Sequence, residues 1–195
     1  MKTFCFYIFI FTSILSYSQN YEIGMNVIKA DLTNNSFDKE PNAEALLIYD
    51  YGNAYFNKET WRLNIELKQK LKILSKDGLD RGKKEIPLYI GKNSKEIIKD
   101  VQVRVYNLVN GEIEVSSMSK DAIYTEKNEN YDLVKLVFPG VKVGSVITVS
   151  YTKSTPFVTK FQPWYFQQDI PSLYSEFNAS IPGNYEYNIK LVGTL

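Results

Sequence analysis

Residues 97–116 read IIKDVQVRVYNLVNGEIEVS, and this stretch decides the fold class. From residue 101 to 105 valines alternate with polar residues, which is the period-two pattern of a half-buried strand. Asn110-Gly111 separates this run from a second alternating run at 112–115. Both residues tolerate the positive φ of a type I′ turn, so the stretch predicts a β-hairpin.

The period-two pattern recurs on both sides of the hairpin. Along 61–74, apolar residues alternate with polar ones until Gln69-Lys70 interrupts the pattern, which indicates a bulge or bend there. Pro87 has no backbone donor, so the predicted strand 85–90 should lie at a sheet edge or begin late. A short apolar run at 46–49 is followed by Asp50-Tyr51-Gly52-Asn53, which has the composition of a turn. Further strands are predicted at 122–126, 133–138, 146–152, 173–181 and 185–192.

These strands define one class of fold. No window keeps a helical period for three turns, and turn signals recur at intervals of roughly ten residues. We therefore predict an all-β protein, an antiparallel β-sandwich with little helix, over residues 45–195. The preceding residues 19–44 are polar and mixed, and we expect a loosely held lead-in.

The first eighteen residues have the features of a signal peptide. Lys2 precedes an apolar run at 4–15, and Ser16-Tyr17-Ser18 supplies small residues for cleavage before Gln19. A membrane anchor is the alternative, but the run is shorter than the roughly 20 apolar residues that span a bilayer. We expect an exported protein, periplasmic or at the cell surface, with no membrane span after cleavage.

Composition excludes several classes of function. Loss of Lys2 would reduce the 23 basic residues to 22, which balances the 22 acidic ones, so no basic surface for nucleic acid is expected. The chain has no histidine, and its one cysteine, Cys5, lies in the predicted signal peptide. Ser-His and Cys-His nucleophiles cannot form, and we expect no metal site and no cofactor.

Paired carboxylates are the remaining catalytic groups. A glycosidase needs two of them, and the candidates are Asp50, Asp77, Asp80, Asp169 and Glu176. Asp50 and Asp77 lie in turn contexts, where such side chains cap the local backbone. The segment 77–80 lacks the ligand spacing of a calcium loop. We therefore predict no catalytic residues in this chain.

An aromatic cluster follows Pro156. Phe161, Trp164, Tyr165 and Phe166 lie between prolines that stiffen the segment. Such side chains fill the core of many β-sandwiches, and exposed ones form platforms for sugars or partner proteins. These four residues are the candidate surface for a ligand or partner, with packing as the alternative.

Several blocks of sequence resemble one family. They are Tyr49-Asp50-Tyr51-Gly52, 72–79 (KILSKDGL), 138–147 (FPGVKVGSVI) and the segment from Ser154 through Pro163-Trp164-Tyr165-Phe166-Gln167 to Ile181-Pro182. Together they are similar to an uncharacterised β-domain that precedes transglutaminase-like domains in exported proteins of Gram-negative bacteria.

The resemblance implies a role without catalysis. In that family the catalytic Cys-His-Asp set belongs to the following transglutaminase-like domain, so no catalytic residue carries over to this chain. We expect a non-catalytic accessory or interaction module of a transglutaminase-like protein, with a downstream domain or an envelope protein as partner. The alternative is a stand-alone module of the cell envelope that binds carbohydrate or peptide.

Overall fold

The computed structural model describes residues 21–159 and 161–193. In this part of the chain two β-sheets pack face to face, which confirms the prediction of an all-β sandwich with little helix. The predicted signal peptide lies outside the described residues. Within the described ranges, no helix is both long enough and apolar enough to cross a membrane.

The strands follow one short helix, α1, at Lys29–Thr33. The larger sheet has the order β5-β4-β8-β2-β1-β9, and the smaller sheet has the order β3-β7-β6. Neighbouring strands are antiparallel except for β9, which runs parallel to β1. The strands are β1 (Ala45–Phe56), β2 (Leu63–Ile73), β3 (Lys83–Tyr89), β4 (Ile97–Val109), β5 (Glu112–Ser117), β6 (Ile123–Lys127), β7 (Tyr131–Val137), β8 (Val146–Thr155) and β9 (Ser175–Ser180).

Two local predictions are confirmed. Asn110 and Gly111 have φ values of 51° and 84° and join β4 to β5, as a type I′ hairpin requires. Strand β3 pairs only with β7, so Pro87 lies in an edge strand, where its missing donor costs little.

Two other local predictions are wrong. Residues 50–53 do not form a turn but lie within β1, because pairing with β2 and β9 on both sides overrides their turn composition. Residues 185–192 form no strand, although Tyr185 packs on Phe56. Ile189 and Leu191 are largely exposed, because the segment pairs with no described strand that would cover them.

The apolar core fills one part of the space between the sheets. Fully buried Val105, Leu136, Ile147 and Ile73 meet there, and each buried side chain of this size contributes about 1.5–3 kcal/mol. Along β2, successive inward-facing side chains change from apolar to polar: Leu71 packs against this core, and Gln69, two residues before it, lines the cavity described below. The core therefore borders a polar region on the inner faces of the sheets.

The N-terminal strap, residues 21–33, packs on the outer face of the larger sheet. Lys70 and Lys72 point from β2 into this contact and are 0% exposed. The Lys70 ammonium donates to the Glu22 and Asn26 carbonyls and lies 3.1 Å from Asp31 Oδ2. The Lys72 ammonium donates to the carbonyls of Leu32 (2.9 Å) and Gly144 (2.8 Å).

These contacts overturn the expectation of a loosely held lead-in for the part that the structure describes. Asp31 is itself fully buried and accepts hydrogen bonds from the backbone N–H groups of Glu22 and Ile28. Burial under the strap lowers the pKa of Lys72 to about 8, because the charged ammonium loses its contact with water. Removing one partner of a buried pair such as Lys70–Asp31 costs about 3–5 kcal/mol, so the strap is fixed to the sheet.

Candidate functional site

A bulge in β1 creates the polar region between the sheets. Leu47 pairs with Leu71 and Tyr49 with Lys70, so Ile48 is an extra residue in β1. A one-residue insertion reverses the alternation of side chains beyond it. Asp50 consequently shares the inner face with Leu47 and lies opposite Gln69.

The inter-sheet cleft is a cavity of about 590 Å³ at this point. Its floor comes from β1, β2 and β8, its far wall includes Lys84 of β3, and its cover loop is residues 162–169. This volume lies in the range of small-ligand sites. The lining residues are Asp50, Ile65, Leu67, Gln69, Lys84, Tyr151, Lys153, Gln162, Pro163, Trp164, Tyr165, Gln167, Gln168, Asp169 and Phe177.

A hydrogen-bonded chain crosses the cleft from one sheet to the other. Gln69 Nε2 donates to Asp50 Oδ1 at 2.8 Å, and the Lys84 ammonium donates to Gln69 Oε1 at 2.6 Å. Gln168 of the cover loop donates through Nε2 to Asp50 Oδ2 at 3.1 Å. The Gln69 amide therefore links the Asp50 carboxylate to the Lys84 ammonium. The Gln168 amide connects the cover loop to Asp50 on the floor.

Burial shifts the pKa values of the titratable groups in and beside this hydrogen-bonded series. Asp50 is only 2% exposed, and its burial raises the pKa of its carboxyl, although the two glutamine amides and Lys84 oppose the rise. Burial lowers the pKa of Lys84, which the charge of Asp50 opposes. Burial also raises the pKa of the Tyr151 phenol, so Tyr151 is a neutral donor on the floor.

Two ion pairs hold the other charges of the cleft. The Lys153 ammonium lies 2.6 Å from Glu96 Oε2, and both side chains are buried. Arg81 donates to Asp169 Oδ2 at 2.5 Å and to Glu44 Oε1 at 2.7 Å, and this anchors the cover loop. The hydrogen bond from Arg81 lowers the pKa of Asp169.

The structure separates the four aromatic residues that the sequence selects. Trp164 and Tyr165 line the inter-sheet cleft, and Tyr165 is 66% exposed. Phe166 is 51% exposed and faces a neighbouring groove at 166–175. Phe161 packs edge-on against Tyr187, with ring centroids 4.7 Å apart. Two of the four therefore belong to the cleft.

The structure also separates the five candidate carboxylates, two of which line the cleft. Asp50 and Asp169 both line the cleft, whereas Asp77 and Asp80 lie in the 3₁₀ turn Asp77–Gly82. Glu176 accepts hydrogen bonds from the Tyr174 hydroxyl and the Asn178 amide outside the cleft. Among the described residues there is also no cluster of three or more His, Cys, Asp or Glu side chains that could hold a metal ion.

Sequence reasoning missed most of the polar groups in the cleft. The sequence pattern predicts a turn at Asp50, and it does not bring Gln69, Lys84 and Gln168 together. One signal was present, because Gln69 occupies an inward position between Leu67 and Leu71 in an alternating strand. A polar residue at such a position indicates either a buried network or a site.

The absence of a side chain at Gly52 allows the Trp164 ring to pack against β1. A Cβ at Gly52 would lie 2.5 Å from Phe177 Cδ2 and 2.7 Å from Trp164 Cζ3, so both rings use the space that a side chain would fill. The two rings are 5.1 Å apart, and Trp164 Nε1 donates to Ser175 Oγ at 3.1 Å. The Trp164 ring is thus fixed at the cleft wall.

No protein-family model matches the chain, and no curated protein sequence matches it. Among solved structures, the chain is similar to a candidate protease from Parabacteroides distasonis ATCC 8503, with a TM-score of 0.48 and 12% identity. The match covers 63% of this chain and 24% of that chain. A likeness of this size is too weak to support an inference about fold or activity.

The packing of Trp164 on Gly52 leads to a prediction. Gly52→Ala should destabilise the protein by about 1–3 kcal/mol through overpacking, and should shift the emission of Trp164 to longer wavelength as the ring moves outward. Trp61→Phe removes the other of the two tryptophans, so emission in that background reports Trp164 alone. Urea denaturation and fluorescence make the two measurements.

Gly183→Ala is the matched control, because a Cβ there would meet nothing within 4 Å. It should leave both the stability and the emission unchanged. Equal behaviour of the two alanine variants would contradict the contact between Gly52 and Trp164.

Proposed function

We propose that this chain is a non-catalytic binding module of an exported protein, and that its ligand occupies the inter-sheet cleft. The observation that carries the proposal is the combination of an aromatic wall with hydrogen-bonded polar groups in one cavity. Trp164 and Tyr165 stand beside Asp50, Gln69 and Gln168. Apolar walls with a few fixed polar groups are typical of ligand sites.

The state of the carboxylates favours binding over hydrolysis. A glycosidase needs one carboxyl that is protonated as an acid and a second that acts as base or nucleophile. Asp169 is held by Arg81, which keeps its pKa low, and Asp50 already accepts from two amides. Burial raises the pKa of Asp50, as a general acid requires, but the other carboxylate that lines the cleft, Asp169, has both of its oxygens bound by Arg81 and is poorly placed to attack a substrate or to activate water. The groups of the cleft are therefore better suited to holding a ligand than to cleaving one.

Export and the neighbouring domain are further parts of the proposal. The charged start, apolar run and small residues of positions 1–18 support secretion to the periplasm or the cell surface. The family resemblance supports a role as the accessory domain of a transglutaminase-like protein, for which the cleft would hold the ligand. The alternative is an envelope module that binds carbohydrate or peptide by itself.

The binding role predicts a specific effect of Tyr165→Ala. Neutral oligosaccharides and short peptides are titrated against the Trp61→Phe protein, with Trp164 emission as the readout. At least one of the two classes should shift the emission, and Tyr165→Ala should weaken that binding about tenfold through loss of an aromatic contact.

Tyr124→Ala is the matched control, since Tyr124 is 58% exposed on β6 of the other sheet, outside the cleft. It should bind as the parent does. The proposal fails if neither class of ligand shifts the emission, or if the two tyrosine variants lose affinity equally.

The export proposal has its own test. Intact-mass analysis of the native protein from the host's envelope fraction should give a chain that begins at Gln19. A chain that keeps Met1–Ser18 and remains in the cytoplasm would contradict it.

A further inference from the structure

We propose that the inter-sheet cleft is a site for a neutral saccharide, in which Asp50 accepts hydrogen bonds from sugar hydroxyls while Trp164 and Tyr165 contact the ring. This inference rests on the proposed binding function and assigns its ligand class. Four features of the described residues support it: the charge balance of the cleft, the free acceptor sites of Asp50, the aromatic wall and the pairing of the floor strands.

The charge balance favours an uncharged ligand. The charged residues that line the cleft are Asp50, Lys84, Lys153 and Asp169. Lys153 is paired with Glu96, Asp169 is paired with Arg81, and Gln69 links Asp50 to Lys84. The charges that line the cleft therefore balance one another, so the cleft presents no net charge that would attract an acidic or a basic ligand.

Asp50 lines the cavity and is 2% exposed beneath Gln69 and Gln168, but its two oxygens keep lone pairs beyond the bonds to those amides. An ionised carboxylate has about four lone-pair sites, and the amides of Gln69 and Gln168 use one on each oxygen. Hydroxyl donors to such a carboxylate form short, charge-assisted bonds. The Lys84 ammonium has donors left as well, because one of its three serves Gln69. Hydroxyl groups both donate and accept, so a polyol satisfies the two charged groups together.

The aromatic wall matches the other surface of a sugar. Phe177 and Ser175 fix the Trp164 ring, while Tyr165 is largely exposed next to it. Rigid aromatic rings provide contact area for C–H groups at low cost in conformational entropy. Gln162 and Gln167 of the same loop add amides that can both donate and accept.

The pairing of the floor strands counts against a peptide. Extended peptides are commonly bound by adding a strand to an exposed sheet edge. The floor strands β1, β2 and β8 each pair with a neighbour on both sides, so they offer the cleft no free backbone edge. Strand β3 of the far wall is an edge strand, but its Pro87 has no backbone N–H to donate and the Pro87 carbonyl already accepts from Lys153. Recognition on this floor must use side chains, as it does for sugars.

The test compares two buried aspartates. Neutral oligosaccharides of two to six hexose or N-acetylhexosamine units are titrated by calorimetry, beside uncharged peptides with blocked ends. Asp50→Asn should weaken saccharide binding at least tenfold, because it places an amide N–H where two amide donors and the hydroxyls require an acceptor. Asp132→Asn is the control, since Asp132 is also buried in a strand but pairs with Lys95 outside the cleft. The Asp132→Asn protein should bind the saccharide with an affinity within twofold of the parent protein's.

A surface variant covers the case in which Asp50→Asn does not fold. Gln168 is exposed, and Gln168→Ala removes one of the two amides that orient Asp50. It should weaken saccharide binding at least threefold, whereas Gln102→Ala on the outer face of β4 should not.

The outcomes separate this inference from the proposed function. Saccharide binding that depends on Asp50 or Gln168 but not on the controls supports it. Saccharide binding that none of the cleft variants alters overturns it. Binding of the peptides alone, weakened by Tyr165→Ala, overturns the saccharide inference and leaves the binding function standing. No binding by either class overturns both.

Discussion

The bulge at Ile48 is the constraint on which the site depends. By adding one residue to β1 opposite β2, it reverses which side chains face the smaller sheet. Before it, Leu47 belongs to the apolar core; after it, Asp50 and Gly52 face inward. The same shift thus brings a carboxylate between the sheets and opens the space that Trp164 occupies. Without it, Tyr49 and Tyr51 would face inward and fill the cleft.

The rest of the fold holds this arrangement from both sides. On the outer face, Lys70 and Lys72 fix the strap to β2, next to the strand position that carries Gln69. On the inner face, Arg81 and Asp50 hold the cover loop through Asp169 and Gln168. A site whose groups are held in advance loses little entropy when a ligand binds, which is the physical advantage of a rigid sandwich for recognition.

Sequence predicted the features that short segments determine, and missed those that depend on distant pairing. The alternation of β4, the Asn110-Gly111 turn and the edge position of Pro87 each follow from local backbone chemistry. The interruption at Gln69-Lys70 predicts a bulge or bend, but the extra residue lies in the partner strand β1, which the local pattern of β2 cannot show. Residue type alone points to Trp164 and Tyr165, whereas Gln69 links Asp50 to Lys84 only because two sheets pack.

The most direct test of the account is the titration of Asp50 by ¹³C NMR of its carboxyl carbon. A carboxylate inside the inter-sheet cleft, desolvated by burial, should titrate with a pKa above its ordinary value. Its resonance should also shift when a neutral oligosaccharide is added. An ordinary pKa, with no response to saccharide, would place Asp50 in water and contradict the account.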